Sequence, residues 1–170
     1  MMLKARIGKW RIHFSMAYVY DVIGINSTLP DNKHILMWDF DTATEEYVWH
    51  TLTHIQLIYD LPNIYILNTG KPNRHIAYCF VRMTIQQVAE ILSATPGICW
   101  GFLKWGIIRN RWTLRVTPKC HRKIRLVGIL TSPRHETSDI HELEGWVQYE
   151  TLADQFRGGF WDRRVRIGGR

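Results

Sequence analysis

The sequence predicts an α+β fold, a mostly antiparallel sheet with flanking helices, on three observations. Short runs rich in aromatic and β-branched residues recur with turn residues between them. Other segments repeat apolar residues at helical spacing. The two kinds of segment also interleave along the chain instead of falling into separate blocks, which favours helices packed on a sheet.

Taken in order, Trp10 to Val22 is dense in aromatic and β-branched residues and reads as a strand or hairpin arm. Asn26 to Lys33 (NSTLPDNK) is turn chemistry, and His34 to Asp39 a buried strand. From Thr42 to Tyr59, Val48, Leu52, Ile55 and Tyr59 fall on one face of a helix, which Asp60, Pro62 and Asn63 stop. Ile64 to Gly70 is a strand ending in a Gly-Lys-Pro-Asn turn, and His75 to Val81 a strand leaving it. Thr84 with Gln87 makes a capping box for a helix bearing Val88, Ile91 and Leu92, closed by Thr95-Pro96-Gly97. Trp112–Val116 and Lys123–Leu130 are further strands around a basic turn, Thr117 to Arg122. Glu142 to Phe156 reads as a last helix, and the arginine-rich end from about residue 157 as a basic tail or short final strand. The order β–α–β–β–α–β inside this series is close to a split-βαβ, RRM-like core. A single modified RRM-like domain over residues 1–170 is therefore expected.

Composition narrows the functional classes. With 46% hydrophobic and 22% charged residues the chain is globular, and no apolar run is long enough to span a bilayer. Met1 to Phe14 scatters cations among single apolar residues, unlike a signal peptide, so a cytoplasmic protein is expected. Cys79, Cys99 and Cys120 are odd in number and far apart, which points to buried reduced thiols instead of disulfides or a paired-cysteine zinc site. The net charge of +7 is unevenly spread. Between Glu90 and Glu136 there is no acid, while Lys104, Arg109, Arg111, Arg115, Lys119, Arg122, Lys123 and Arg125 lie in that gap. Such concentration is the footprint of a phosphate-rich partner, and a solvated basic face is the plainer alternative. Trp100, Trp105 and Trp112 lie among these cations, a pattern suited to stacking single-stranded bases.

Three stretches can carry chemistry. In ILMWDFD (35–41), Asp39 and Asp41 sit two apart on a strand, so they project together while Phe40 faces the core. Paired carboxylates repel, and a divalent cation such as Mg²⁺ or Mn²⁺ relieves the repulsion; the alternative is that Asp41 caps the following helix. In NTGKPNRHIAYCF (68–80), Lys71, Arg74 and His75 put phosphate donors where a strand begins, and a simple hairpin with a surface histidine is the rival reading. In RNRWTLRVTPKCHRK (109–123), Arg115 alternates with Leu114 and Val116, with Lys119 beyond the strand end; a basic hairpin is the rival. His50 and His54 are four apart on a helix, but no glutamate follows His50, so the H-E-x-x-H zinc pattern is absent.

In this order the three stretches resemble the motifs of the archaeo-eukaryotic primase superfamily, with MWDFD as the first, NRHIAY as the second and RNRWTLRVTPK as the third. The resemblance covers roughly Ile35 to Leu130. It implies a primase-polymerase-like nucleotidyltransferase on a modified RRM-like sheet, using Mg²⁺ or Mn²⁺. Asp39 and Asp41 would be the metal ligands, with His75 beside them as a catalytic residue touching the nucleotide phosphates. Arg115 and Lys119 would hold the triphosphate, with Lys71 and Arg74 as auxiliaries, and Lys104, Arg109, Arg111, Arg122 and Lys123 would meet nucleic acid. Implied partners are nucleoside triphosphates, a single-stranded DNA or RNA template, and a helicase or other replication subunit of a plasmid, virus or larger machine. The family usually has a third carboxylate on a strand about ten residues before the last motif's arginine. That region here, GICWGFLKWGIIRNRW (97–112), has none, and Glu136, Asp139 and Glu142 are the nearest downstream acids. Two rivals stand beside this reading: a non-catalytic single-strand-binding module with a degenerate metal site, and a metal-dependent nuclease.

Overall fold

The structure, a computed structural model, describes residues 2–15, 19–119, 122–143 and 146–152. Its elements run β1 (Met2–Ile7), β2 (Trp10–Ser15), β3 (Val19–Asn26), β4 (His34–Phe40), α1 (Glu45–Ile58), β5 (Ile64–Asn68), β6 (His75–Met83), α2 (Ile85–Ala94), α3 (Trp100–Arg109), β7 (Thr113–Arg115), β8 (Arg125–Leu130) and β9 (Trp146–Leu152). A single 3-10 turn, Ile140–Glu142, precedes β9. The strands form a hairpin, β1-β2, a three-stranded sheet, β7-β3-β9, and a four-stranded sheet, β4-β6-β5-β8, all antiparallel. The α+β class with a mostly antiparallel sheet holds. In the four-stranded sheet β4, α1, β5, β6, α2 and β8 keep the expected order, but α3 and β7 are inserted before the last strand, which pairs beside β5.

Register decides which residues share a face of this sheet. Leu36, Trp38 and Phe40 lie opposite Cys79, Ala77 and His75, and β5 sets Ile64, Ile66 and Asn68 opposite the same three β6 residues. This is the helix-covered face: Trp49 of α1 lies over Gly128, and the Trp38 indole N–H donates to Thr95 Oγ1 at the end of α2. A hydroxyl acceptor satisfies the one polar atom of an indole that is otherwise in the core. The opposite face carries Asp39 beside Ile76, and Leu67 beyond it.

Four expectations change. Thr44, not Asp41, caps α1, its Oγ1 accepting from the Tyr47 N–H, so Asp41 is released from that role. Residues 100–109 lie in the region where the resembled family usually has a strand bearing its third carboxylate, and here they are helical. The rival reading of 109–123 as a basic hairpin also fails, because β7 joins β3 while β8 joins β5 in the other sheet. Finally, the helix expected over Glu142–Phe156 is a 3-10 turn followed by β9, paired with β3 from Val19↔Leu152 to Ile25↔Trp146. Val147, Tyr149 and Thr151 suit a strand, and a long partner outweighs weak helical periodicity. Residues 153–156 and the basic tail lie outside the described residues, as does Cys120. Among the described residues no helix is long and apolar enough to cross a membrane.

A buried corner joins the two larger sheets. Ser27 N–H donates to Trp112 O (2.8 Å), the Ile35 N–H donates to Ser27 O (2.9 Å), and Ser27 Oγ accepts from the Trp112 N–H (3.1 Å). Ser27 Oγ lies 3.0 Å from His34 Nδ1, and the His34 ring meets Trp112 edge-on. Because Ser27 Oγ already accepts from the Trp112 N–H, its own proton is placed to donate to a neutral His34 ring. Burial holds the His34 pKa below its usual 6.5. The unfolded chain therefore takes up this proton first as pH falls, so the stability His34 contributes is complete above about pH 6.5 and declines below it. In an NMR titration the His34 ring is expected to stay neutral below that midpoint, and Tm to fall between pH 7.5 and 5.5 less steeply in His34→Gln than in the wild type.

Candidate functional site

At the end of β4 the chain leaves the sheet carrying Asp39 and Asp41, and both line one cavity of about 250 Å³. Phe40 between them is fully buried, as strand alternation requires. The other walls are Thr69, Lys71, Arg74 and Ile76 from the β5–β6 turn, Thr113, Leu114 and Arg115 from β7, and Lys119 and Arg122 from the turn after it. Two carboxylates thus face five cations. Stretches that are far apart in sequence converge here because β7, held by β3, is brought to the end of β4.

The cations are positioned by backbone contacts. Thr69 N–H and Oγ1–H both donate to Arg74 O, closing the turn that offers Lys71 and Arg74. Arg74 Nη1 then reaches Asp41 Oδ1 at 2.7 Å. Gly70 has φ +80°, and a Cβ there would come within 2.8 Å of Arg122 Cβ and 3.0 Å of Lys123 O. Glycine is needed both for that conformation and for the close approach that sets Arg122 over the cavity. Lys119 and Arg122 exchange backbone hydrogen bonds, while Arg115 donates to Thr117 O. Lys119 is only 4% exposed although it lines the cavity. A buried ammonium in a partly acidic pocket is a strong attractor for phosphate.

His75 takes a different place from the expected one. It pairs with Phe40, whereas Asp39 pairs with Ile76, so alternation turns the His75 ring onto the helix side of the sheet. It is 2% exposed and is not among the residues lining the cavity. Nδ1 lies 3.2 Å from Ala43 O and Nε2 lies 3.2 Å from Asn68 Nδ2. Nδ1–H therefore donates to Ala43, Nε2 accepts from the Asn68 amide, and Asn68 Oδ1 accepts from the Gly70 N–H at 2.7 Å. The neutral ring ties the segment after Asp41 to the turn carrying Lys71 and Arg74. That is a positioning role, not contact with phosphate.

The third acid is not found among the downstream candidates. Glu136 accepts from Tyr65 Oη (2.7 Å), Asp139 accepts from the His141 N–H (2.6 Å), and Glu142 pairs with Arg82 (2.7 Å). Instead, Cys99 Sγ and one oxygen each from Asp39 and Asp41 all lie within 4.8 Å of one another. The Cys99 N–H donates to Asp39 O at 2.7 Å, which fastens the start of α3 to the end of β4. Burial first, and then hydrogen bonding to Asp41, push the Cys99 thiol up to about 11, with the Phe102 backbone N–H pulling the other way. A search limited to carboxylates misses it; a cysteine opening a helix just after a Thr-Pro-Gly stop was the available signal. The donor set suits a divalent ion, since two carboxylate oxygens and a sulfur lie within 4.8 Å of one another.

The other assigned residues separate from this cavity. Lys104, Arg109, Arg111 and Lys123 are exposed outside it. Lys104 and Arg109 lie 5.8 Å and 5.5 Å from the Trp105 ring, and Trp100 and Trp105 are exposed while Trp112 belongs to the core. His50 and His54 stack on the exposed side of α1. Cys79 is buried, which pushes its thiol far up and leaves it inert.

No protein-family model matches the chain, and no curated protein or solved structure matches it significantly.

Proposed function

We propose that this protein is a primase-polymerase-like nucleotidyltransferase, extending a strand on a single-stranded template. The observation that carries the reading is a single cavity in which Asp39 and Asp41 oppose Lys71, Arg74, Arg115, Lys119 and Arg122. At about 250 Å³ it is smaller than the roughly 300–1,000 Å³ typical of whole-ligand pockets, and suits a triphosphate more than a complete nucleotide. Its polar, doubly charged lining suits the same ligand.

In this reading Asp39 and Asp41 hold Mg²⁺ or Mn²⁺, which supplies activation of the attacking 3′-hydroxyl and neutralises charge at the α-phosphate. Arg115, Lys119 and Arg122 balance the β- and γ-phosphates and the departing pyrophosphate. Arg74 steadies Asp41, Lys71 adds charge at the mouth, and His75 braces the two walls from the other face. Trp100 and Trp105, with Lys104, Arg109 and Arg111 nearby, are suited to stack and neutralise a template strand. A helicase or other replication subunit is a further partner of the same reading.

A non-catalytic single-strand binder is the second reading, favoured by a cavity lining that, among the described residues, has only two carboxylates, Asp39 and Asp41. The deciding experiment supplies primed and unprimed single-stranded template, labelled nucleotides and Mn²⁺ to the full chain. Template-dependent product is expected; its absence, together with salt-steep binding of the strand, would establish the second reading instead. Degradation of template without nucleotides would indicate a nuclease.

A further inference from the structure

We propose that Cys99 is the third ligand of the divalent ion, so that the centre prefers a thiolate-accepting ion such as Mn²⁺, Co²⁺ or Zn²⁺ over Mg²⁺. The proposal rests on the metal-dependent reading above and specifies which ion that site selects.

Geometry comes first. Metal–oxygen and metal–sulfur bonds of about 2.0–2.3 Å allow two ligand atoms of one ion to stand at most about 4.5 Å apart. The three candidate atoms already lie within 4.8 Å of one another, so a contraction of a few tenths of an ångström closes them on one ion. The Sγ position is also set by the backbone, since Cys99 N–H is held by Asp39 O, the carbonyl of a proposed ligand. Cys99 stands at the N-cap position of α3, yet its side chain makes no capping hydrogen bond that meets ordinary geometry. The ten-residue helix begins at the site, and its N-terminal dipole favours sulfur as the thiolate once a proton is displaced. Among the described residues no other acid joins these three groups; residues 91–135 contain none, and Glu136, Asp139 and Glu142 are engaged elsewhere.

Chemistry then selects the ion. Mg²⁺ demands oxygen ligands and near-ideal octahedral geometry, and gains little from a thiolate. Softer divalent ions accept mixed oxygen and sulfur donors, with affinity rising from Mn²⁺ through Co²⁺. One thiolate among two carboxylates keeps the ligand charge that three carboxylates would give while changing which ion they hold best. Binding releases the thiol proton to solvent and changes no oxidation state.

Cobalt(II) is the direct probe, because thiolate ligation produces a charge-transfer band in the near ultraviolet. Titrating the full chain with Co²⁺ is expected to give a saturable band at one ion per chain, lost in Cys99→Ser and in Asp39→Asn/Asp41→Asn. Mn²⁺ and Zn²⁺ should displace Co²⁺ at lower concentrations than Mg²⁺. Cys99→Asp should lose the band yet bind Mg²⁺ more tightly than the wild type. Independently of any variant, Zn²⁺ should slow alkylation of Cys99 in the wild type, mapped by mass spectrometry, and Mg²⁺ should not. A wild type without the band, a band that survives Cys99→Ser, or alkylation indifferent to Zn²⁺ would overturn the proposal. The polymerase reading fails separately: a normal cobalt band with no extension product refutes it and leaves Cys99 a ligand.

Discussion

Replacing Asp39 and Asp41 together by asparagine is expected to lower template-dependent extension by about 10³-fold or more, while the protein remains folded. The size follows from what the ligands support. Charge stabilisation by a bound ion contributes several kcal/mol to a phosphoryl transfer, and about 4 kcal/mol is three orders of magnitude in rate. The effect on folding is much smaller. Asp41 pairs with Arg74 at 2.7 Å, but both side chains are about a third exposed, so solvent screens the pair and its loss costs under about 1 kcal/mol. Asparagine keeps nearly the same volume at both positions, leaving Phe40 and the rest of the strand end packed as before. Thr44, which caps α1, is untouched. Circular dichroism and Tm should therefore match the wild type within a few degrees while extension is lost. Single-strand binding should survive, with its steep salt dependence retained because the cationic wall is unchanged. A double variant that still extends primers at more than about a tenth of the wild-type rate would refute the assignment of the two aspartates.

Gly106→Ala should have the largest effect on stability. Gly106 is a buried position in the second half of α3, and a Cβ there would fall 1.9 Å from Trp112 Nε1 and 2.2 Å from its Cδ1. Trp112 cannot yield cheaply: it is buried, its backbone is bonded to Ser27 on both sides, and its ring meets His34. Helix propensity acts in the other direction, favouring alanine by about 1 kcal/mol. A clash this deep exceeds that gain, because the helix must lift off the indole and lose the packing beneath it. A net loss of about 3 kcal/mol is expected, a fall in Tm of about 6–12 °C for a chain of this size. Gly101→Ala is the control in the same helix. Its Cβ would meet only Cys99 Sγ at 3.8 Å, an ordinary contact, so the change should be neutral or stabilising by up to about 1 kcal/mol. If both substitutions behave alike in chemical denaturation, the close contact between α3 and Trp112 is not what orders this helix. The same contact bears on the site, because α3 begins at Cys99 and Trp112 leads directly into the strand that bears Arg115.

Local patterns announced several features correctly. The turn residues and apolar runs marked β4, β5, β6 and β8 to within a few residues, because a buried strand between polar turns is a local pattern. The capping box of Thr84 and Gln87 is present at the start of α2, since both partners lie within one turn of chain. Helix α3 was not legible in the same way. Its apolar run has weak periodicity; Asn110 in the left-handed C-cap closes it, and its packing of Gly106 against the Trp112 indole is a tertiary contact no window of sequence shows. Strand β9 depends on β3, more than a hundred residues away, and no window of sequence contains both.

The site divides along the same line. Strand alternation alone determined that Asp39 and Asp41 project together with Phe40 inward, because that period is a property of the backbone. Charge alone determined that cations from two later stretches were available. Which of them meet the aspartates was decided by register. Setting Asp39 opposite Ile76 puts Arg74 on the carboxylate side and His75 on the helix side, and a slip of one residue would exchange them. The place of Cys99 beside the two carboxylates is likewise tertiary: its N–H donates to Asp39 O, and its thiol comes from a distant stretch to the end of the strand. Local chemistry is written in the order of residues; which groups share one cavity depends on strand pairing across the sheet, and that pairing is settled only by the packing of the whole chain.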